Sequence, residues 1–249
     1  MLSARNVFIA LFTPLARRMG GVSPNTLSLV SLTAGVAAGM AFGFAHRSNG
    51  FFALAALLVA VSGAADSLDG IVARMYNRTS AAGEFLDHFA DRVVEVSVLV
   101  GIAVSPGASI TLGLSVVILT LLHSYLGTQI EAAFGRREYS GPGKAEQFVG
   151  LVAFGVVRAA APSWSIPVGD PHMSLADALF ALLGAGTILG IVGRLRAARA
   201  LASAPDAPVG RKELQAFHLR PGSGPLGLGK KFATPITAAN VDLAFRRNA

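Results

Sequence analysis

Runs of about twenty mostly apolar residues recur along this chain, and that recurrence restricts its fold more than any other feature. A helix rising 1.5 Å per residue needs about 20 such residues to cross a hydrocarbon core of about 30 Å. Six runs approach that length, at 27–45, 51–76, 84–104, 109–130, 147–161 and 175–195, separated by Gly, Pro or basic residues. The fifth is the shortest. In lipid each backbone N–H and C=O must be satisfied within the protein, so the pattern predicts an all-α integral membrane fold of six transmembrane helices. Only 14% of the residues are charged and the mean hydropathy is +0.57, which excludes an ordinary soluble domain. The spans are rich in Ala, Gly and Ser, residues that let helix backbones approach closely, and one compact bundle is expected.

Basic residues in short connections stay on the cytoplasmic side. Arg5, Arg17 and Arg18 precede the first run, Arg74 and Arg78 follow the second, Arg136, Arg137 and Lys144 follow the fourth, and Arg194, Arg196 and Arg199 close the sixth. The opposite connections hold little beyond Arg47 and Arg158. A multi-pass protein of the cell membrane with both termini cytoplasmic follows. The formal charge of +7 needs no nucleic-acid partner, because this same bias beside anionic lipid headgroups accounts for it. The chain has no Cys, which removes disulfides, thiol nucleophiles and thiolate metal sites.

Before the first span, Val7, Phe8, Leu11, Phe12 and Leu15 recur at helical spacing between basic residues, as in an amphipathic helix lying in the interface. Arg17 and Arg18 stand where a signal peptide would need small residues, so an uncleaved segment is expected. Ser23 or Asn25 can cap the first span, with Pro24 at its start. After Leu201 no further apolar run occurs. We divide the chain into a membrane domain, 1–200, and a basic Pro/Gly/Ala-rich cytoplasmic tail, 201–249, expected to be partly disordered. Two motif matches carry no function. Gly224 to Lys230 has phosphate-loop spacing, but Lys231 stands where Ser or Thr must hold magnesium. Asn77-Arg78-Thr79 is a glycosylation sequon on the side assigned to the cytoplasm.

Chemistry is concentrated in Asp66-Ser-Leu-Asp69-Gly70-Ile-Val-Ala73-Arg74 and Gly83-Glu-Phe-Leu-Asp87-His-Phe-Ala-Asp91. Asp66 and Asp69 are three residues apart and Asp87 and Asp91 four, so each pair projects from one helical face, within about 60°. The short link between the two helices predicts antiparallel neighbours whose acids converge. An ionised Asp deep in a spanning helix costs roughly 2.5–3.5 kcal/mol, and four together repel one another unless cations join them. Arg74 alone cannot balance four. Clustered hard oxygen donors favour one or two Mg²⁺ or Mn²⁺ ions. Glu84, His88 and Glu95 adjoin the site without the same paired logic. Gly70, Ala73 and Gly83 clear bulk for a phosphate or nucleotide, and Arg74 is suited to grip phosphate oxygens.

The spacing Asp66-x2-Asp69-Gly70-x2-Ala73-Arg74-x8-Gly83-x3-Asp87-x3-Asp91 resembles the signature of the CDP-alcohol phosphotransferase family at all eight fixed positions. The resemblance extends over roughly residues 1 to 200. It implies a homodimer with a cytoplasm-facing cavity, in which a CDP-lipid meets metal through its pyrophosphate. It makes Asp66, Asp69 and Asp87 metal ligands, and Asp91 the base that also reaches a second ion. Gly70, Arg74 and Ser80 resemble the family's CDP-contacting positions, with Ala73 and Gly83 beside them and Asn25 and Thr26 as further candidates. The implied reaction moves a phosphatidyl or archaetidyl group from CDP-lipid to a small alcohol in phospholipid biosynthesis.

The segments His123 to Glu131 and Lys144 to Gln147 are similar to archaeal members acting on polyol phosphates, notably inositol phosphate; glycerol 3-phosphate is the other expected acceptor. Inositol-phosphate enzymes typically carry a basic residue where Gly127 stands here. Arg136, Arg137, Lys144 and Arg194 are the candidate acceptor-phosphate contacts. Two other functions use acids in a helix bundle: a magnesium-dependent intramembrane prenyltransferase and a divalent-cation transporter. Neither accounts for the glycine and arginine spacing.

Overall fold

The computed structural model describes residues 11–136, 144–162, 164–166 and 173–203. Contacts group the chain into Met1–Ala207 and Pro208–Ala249. The second unit and its phosphate-loop-like motif lie outside the described residues, as do Arg5, Val7, Phe8 and Arg137.

Among the described residues, six long helices stand where the apolar runs predict them: α1 Pro24–Gly43, α2 Gly50–Met75, α3 Ala81–Ala103, α4 Ile110–Phe134, α5 Lys144–Ala160 and α6 Leu175–Ala202. Among the described residues, four segments are long and apolar enough to cross a bilayer: Pro24–His46, which continues α1 through a 3-10 turn, and α2, α4 and α6. α3 carries Glu84, Asp87, Asp91, Arg92 and Glu95, and α5 has 17 residues. Length and composition therefore do not make spans of these two. Of the expected interfacial helix, residues 11–16 are described and are helical. A two-residue antiparallel pairing, Ser165–Ile166 with Met173–Ser174, is an addition to the all-helical expectation.

Side chains at the boundaries explain the helix starts. Ser23, not Asn25, caps α1, accepting from the Thr26 amide at 3.1 Å with Pro24 at the first turn. Ser80 caps α3 by accepting from the Gly83 amide at 3.0 Å. Between α2 and α3 the chain reverses at Asn77, whose φ of 51° lies in the left-handed region that Asn tolerates. Ser109 and Ser174 cap α4 and α6, and the Asp177 carboxylate also accepts from the Ser109 amide at 2.8 Å, tying the two starts together.

The short link leads to a different packing from the expected neighbouring pair. α1 packs along both α2 and α3, so α2 and α3 come together around the acids rather than along their lengths. Small residues permit this. A Cβ on Gly101 would strike the backbone of Gly39, and one on Gly35 would strike Val94. Ser62 donates to the Ser31 carbonyl at 2.9 Å and so joins α1 to α2. α5 packs on α2, and α6 on α4. Phe42, Phe52 and Phe154 fill the far end of the core with ring centroids 5.8–6.2 Å apart. Near the acids a smaller cluster of Ala16, Leu27, Leu68, Ile71 and Val72 seats the segment that precedes α1.

Arg158, counted above as a connection charge, is buried inside this core. Its guanidinium lies 4.8 Å from the Phe52 ring centroid and donates to the carbonyls of Pro106, at 2.7 Å, and Pro162.

Candidate active site

Helical periodicity brings the acids together. One oxygen from each of Asp66, Asp69 and Asp87 can be chosen so that all lie within 4.8 Å of one another, and ligand atoms of Asp87, His88 and Asp91 meet the same limit. α2 presents Asp66 and Asp69 toward α3, which returns Asp87 and Asp91. Asp69 is buried, at 6% exposure, and the Ser28 hydroxyl of α1 donates to its Oδ2 at 2.7 Å. That bond fixes one carboxylate of the cluster from a third helix. An all-oxygen set at this spacing suits a hard divalent cation, since a single ion can bridge carboxylates that would otherwise repel. The donor set therefore fits Mg²⁺ or Mn²⁺.

Beside the acids opens a cavity of about 580 Å³. Its lining joins α1 (Pro24, Asn25, Ser28), α2 (Asp69, Gly70, Ala73, Arg74), the link (Arg78, Thr79, Ser80) and the start of α3 (Ala81, Gly83, Glu84, Asp87, His88). Arg74 folds back over Gly70, where a Cβ would lie 3.4 Å from its guanidinium. Gly83 keeps open the gap between Ser80 and Asn25, because a Cβ there would lie 3.1 Å from Ser80 Oγ and 3.4 Å from Asn25 Oδ1. The result is a pocket whose lining includes the carboxylates of Asp69, Glu84 and Asp87 and the side chains of Arg74 and Arg78.

Most of the expected donor-side residues thus share one cavity. Thr26 does not line it; its hydroxyl sits 2.7 Å from Ser23 Oγ within the α1 cap. Asp66 and Asp91 belong to the acidic clusters without lining this cavity. Glu84 and His88 line it too, with His88 Nε2 4.0 Å from Glu84 Oε1 and both side chains more than half exposed. Glu95 lies deeper, paired with Arg92. Among the acceptor candidates, Arg136 is exposed just past Gly135, whose φ of 66° ends α4. Arg137 is outside the described residues, and Lys144 begins α5 with its side chain outside the description. Arg194 reaches from α6 across to α4, donating to the His123 carbonyl. Its guanidinium covers Gly127, where a Cβ would lie 2.7 Å from Nη1.

Two residues escaped the sequence reading. Ser28 has no local signature beyond lying one turn after Asn25. Arg78, counted only for topology, lines the cavity and donates to the Val22 carbonyl at 3.2 Å; its position four residues after Arg74 was the available signal.

Together, the helical bundle and its clustered carboxylates define a membrane protein with a candidate divalent-metal site beside a cavity of about 580 Å³ that carries both acidic and basic side chains. Residues 21–193 match the model of the CDP-alcohol phosphatidyltransferase family, and the chain belongs to that family. It is 39% identical over 102 residues to the phosphatidylinositol phosphate synthase of Streptomyces avermitilis, covering 40% of each chain. It is 33% identical over 109 residues to the archaetidylinositol phosphate synthase of Pyrococcus horikoshii, covering 43% of this chain and 52% of that one. The alignments thus span about half or less of these curated relatives. The fold matches Mycobacterium tuberculosis phosphatidylinositol phosphate synthase with CDP-DAG bound, at a TM-score of 0.62 and 22% identity over 80% of this chain and 97% of that one. The same mycobacterial enzyme in complex with manganese and citrate gives a TM-score of 0.61, with 79% of this chain and 91% of that one covered.

Proposed function

We propose that this chain transfers a phospho-lipid group from a CDP-lipid to the hydroxyl of a small polar alcohol, releasing CMP, as a step of phospholipid biosynthesis. The observation that carries the reading is the convergence of Asp66, Asp69 and Asp87 within 4.8 Å, two of them, Asp69 and Asp87, lining a cavity with Gly70, Arg74, Ser80 and Gly83. A divalent ion held by these acids would neutralise charge on the pyrophosphate and on departing CMP. Arg74 and Arg78 would grip phosphate oxygens, and the Gly83 gap would admit the nucleotide beside Asn25. Asp91 takes the proton of the accepting hydroxyl while that oxygen attacks the lipid-bearing phosphorus and the bond to CMP breaks. Asp69 and Asp87 face the donor cavity but Asp91 does not. A base on the far side of the phosphorus from the leaving group is what in-line displacement requires.

For the acceptor we favour a polyol phosphate, inositol phosphate before glycerol 3-phosphate. The two relatives named above are a phosphatidylinositol phosphate synthase and an archaetidylinositol phosphate synthase. Where similar enzymes carry a basic residue at the Gly127 position, here Arg194 supplies a guanidinium over Gly127 from another helix. The same reading takes α3 and α5 as the remaining two of six spans, sets both termini and the cavity at the cytoplasmic face, and pairs two copies as a homodimer.

Purified protein given CDP-diacylglycerol or its archaeal ether counterpart, with serine, glycerol 3-phosphate, inositol or inositol 1-phosphate, tests this directly. CMP release is expected only with the right acceptor and with Mg²⁺ or Mn²⁺, and is lost on chelation and in Asp91→Asn. Release of pyrophosphate from prenyl donors, or divalent-ion flux without CMP formation, would overturn the reading in favour of a prenyltransferase or a transporter.

A further inference from the structure

Asp87 and Asp91 are one turn apart on α3 yet open onto different spaces. Asp91 lines a separate small recess of about 30 Å³ with Arg92, Glu95 and Gln147, its lining completed by apolar side chains of α3 and α5. A space of that size holds one water-sized group. Inside it Glu95 has a partner at each oxygen: Gln147 Nε2 donates to Oε1 at 3.1 Å, and Arg92 pairs with Oε2. The Glu95 side chain is 14% exposed, and a carboxylate taken that far from water is stable only when so paired.

Gln147 comes from α5, which packs on α2 and not along α3. Its bond to Glu95 therefore ties the first turns of α5 to α3 at the level of the acids. We infer that Glu95 and Gln147 form a positioning pair, fixing the wall that faces Asp91 on the side away from the donor and so the approach of the accepting alcohol. The inference rests on the reading of Asp91 as the base. Arg92 completes the device, because it holds Oε2 and leaves Oε1 turned toward Gln147.

The test compares wild type, Gln147→Met, Gln147→Glu, Glu95→Gln and the E95Q/Q147E pair, using CDP-diacylglycerol and the acceptor from the panel above that supports the fastest wild-type CMP release. Gln147→Met keeps the length of the side chain but cannot donate, and Gln147→Glu places like charges together. For both, the expected result is a loss of about tenfold to hundredfold in kcat/KM for the acceptor, as for a misplaced reacting group, with the donor KM within about twofold. The E95Q/Q147E pair rebuilds the bond with donor and acceptor exchanged and is expected to recover most of that loss. Unchanged acceptor kinetics in Gln147→Met would overturn the inference. So would donor and acceptor KM rising together with a lowered Tm, the mark of a purely structural bond. Asp91→Asn separates the two readings: if it still turns over with acceptor, the base assignment fails whatever the Gln147 variants do. If it is inactive while Gln147→Met behaves as wild type, only the positioning pair fails.

Discussion

Replacing Ser28 with alanine removes one hydroxyl, with its bond to Asp69 at 2.7 Å and its longer, intrahelical contact to the Pro24 carbonyl at 3.2 Å, so its effect at the site reports the support behind Asp69. The bond is 2.7 Å long and its acceptor is a buried carboxylate with 6% exposure, where water cannot readily replace the hydroxyl. A hydrogen bond to a charged group contributes about 1.5–3 kcal/mol. At about 1.4 kcal/mol per factor of ten, that corresponds to roughly 10-fold to 150-fold in an equilibrium constant. Groups that orient metal-binding side chains typically change metal affinity or activity by about 10–100-fold, in the same range. The Mg²⁺ or Mn²⁺ concentration for half-maximal CMP release should therefore rise about tenfold or more in Ser28→Ala. The rate at saturating metal should return to within about threefold of wild type, and Ser28→Thr should retain most of the affinity. Titrating CMP release against free metal at fixed CDP-lipid gives the comparison. An unchanged metal requirement would refute the idea that α1 orients a metal-binding carboxylate. A fall in rate that no metal concentration restores would refute it equally.

Two further substitutions probe the cavity and the far end of the bundle. Gly83→Ala puts a Cβ 3.1 Å from Ser80 Oγ and 3.4 Å from Asn25 Oδ1, so it should raise the KM for CDP-lipid several-fold through the narrowed gap and cost about 1 kcal/mol of stability through the strained cap, read from donor titrations and thermal melts. Arg158→Met should lower Tm by the equivalent of about 1–3 kcal/mol, because the Pro106 and Pro162 carbonyls lose their buried donor, while the metal and donor dependence of CMP release stay as in wild type.

The positions of the helices and acids were legible because both follow from local periodicity: apolar run length sets the helices, and i, i+3 or i, i+4 spacing puts the acids on one face. What escaped depends on contacts between distant parts of the chain. Ser28 meets Asp69 across 41 residues. The short link suggested that α2 and α3 pack on each other, yet Gly35, Gly39 and Gly101 let α1 come close enough to take that place. A three-dimensional contact also gives Gly127 its meaning, because only the structure puts the Arg194 guanidinium over it. Arg158 was misread for a related reason: a count of basic residues treats each as solvent-facing, whereas this one is buried against Phe52 and the two proline carbonyls. Its burial bears on topology. The positive-inside bias concerns charges held in water beside the bilayer, so a guanidinium enclosed in the core should carry no weight in it. With Arg158 removed from the tally, Arg47 is the main basic residue left on the connections opposite the acids. The charge asymmetry behind the proposed cytoplasm-facing cavity is then proportionally larger than the sequence count suggested.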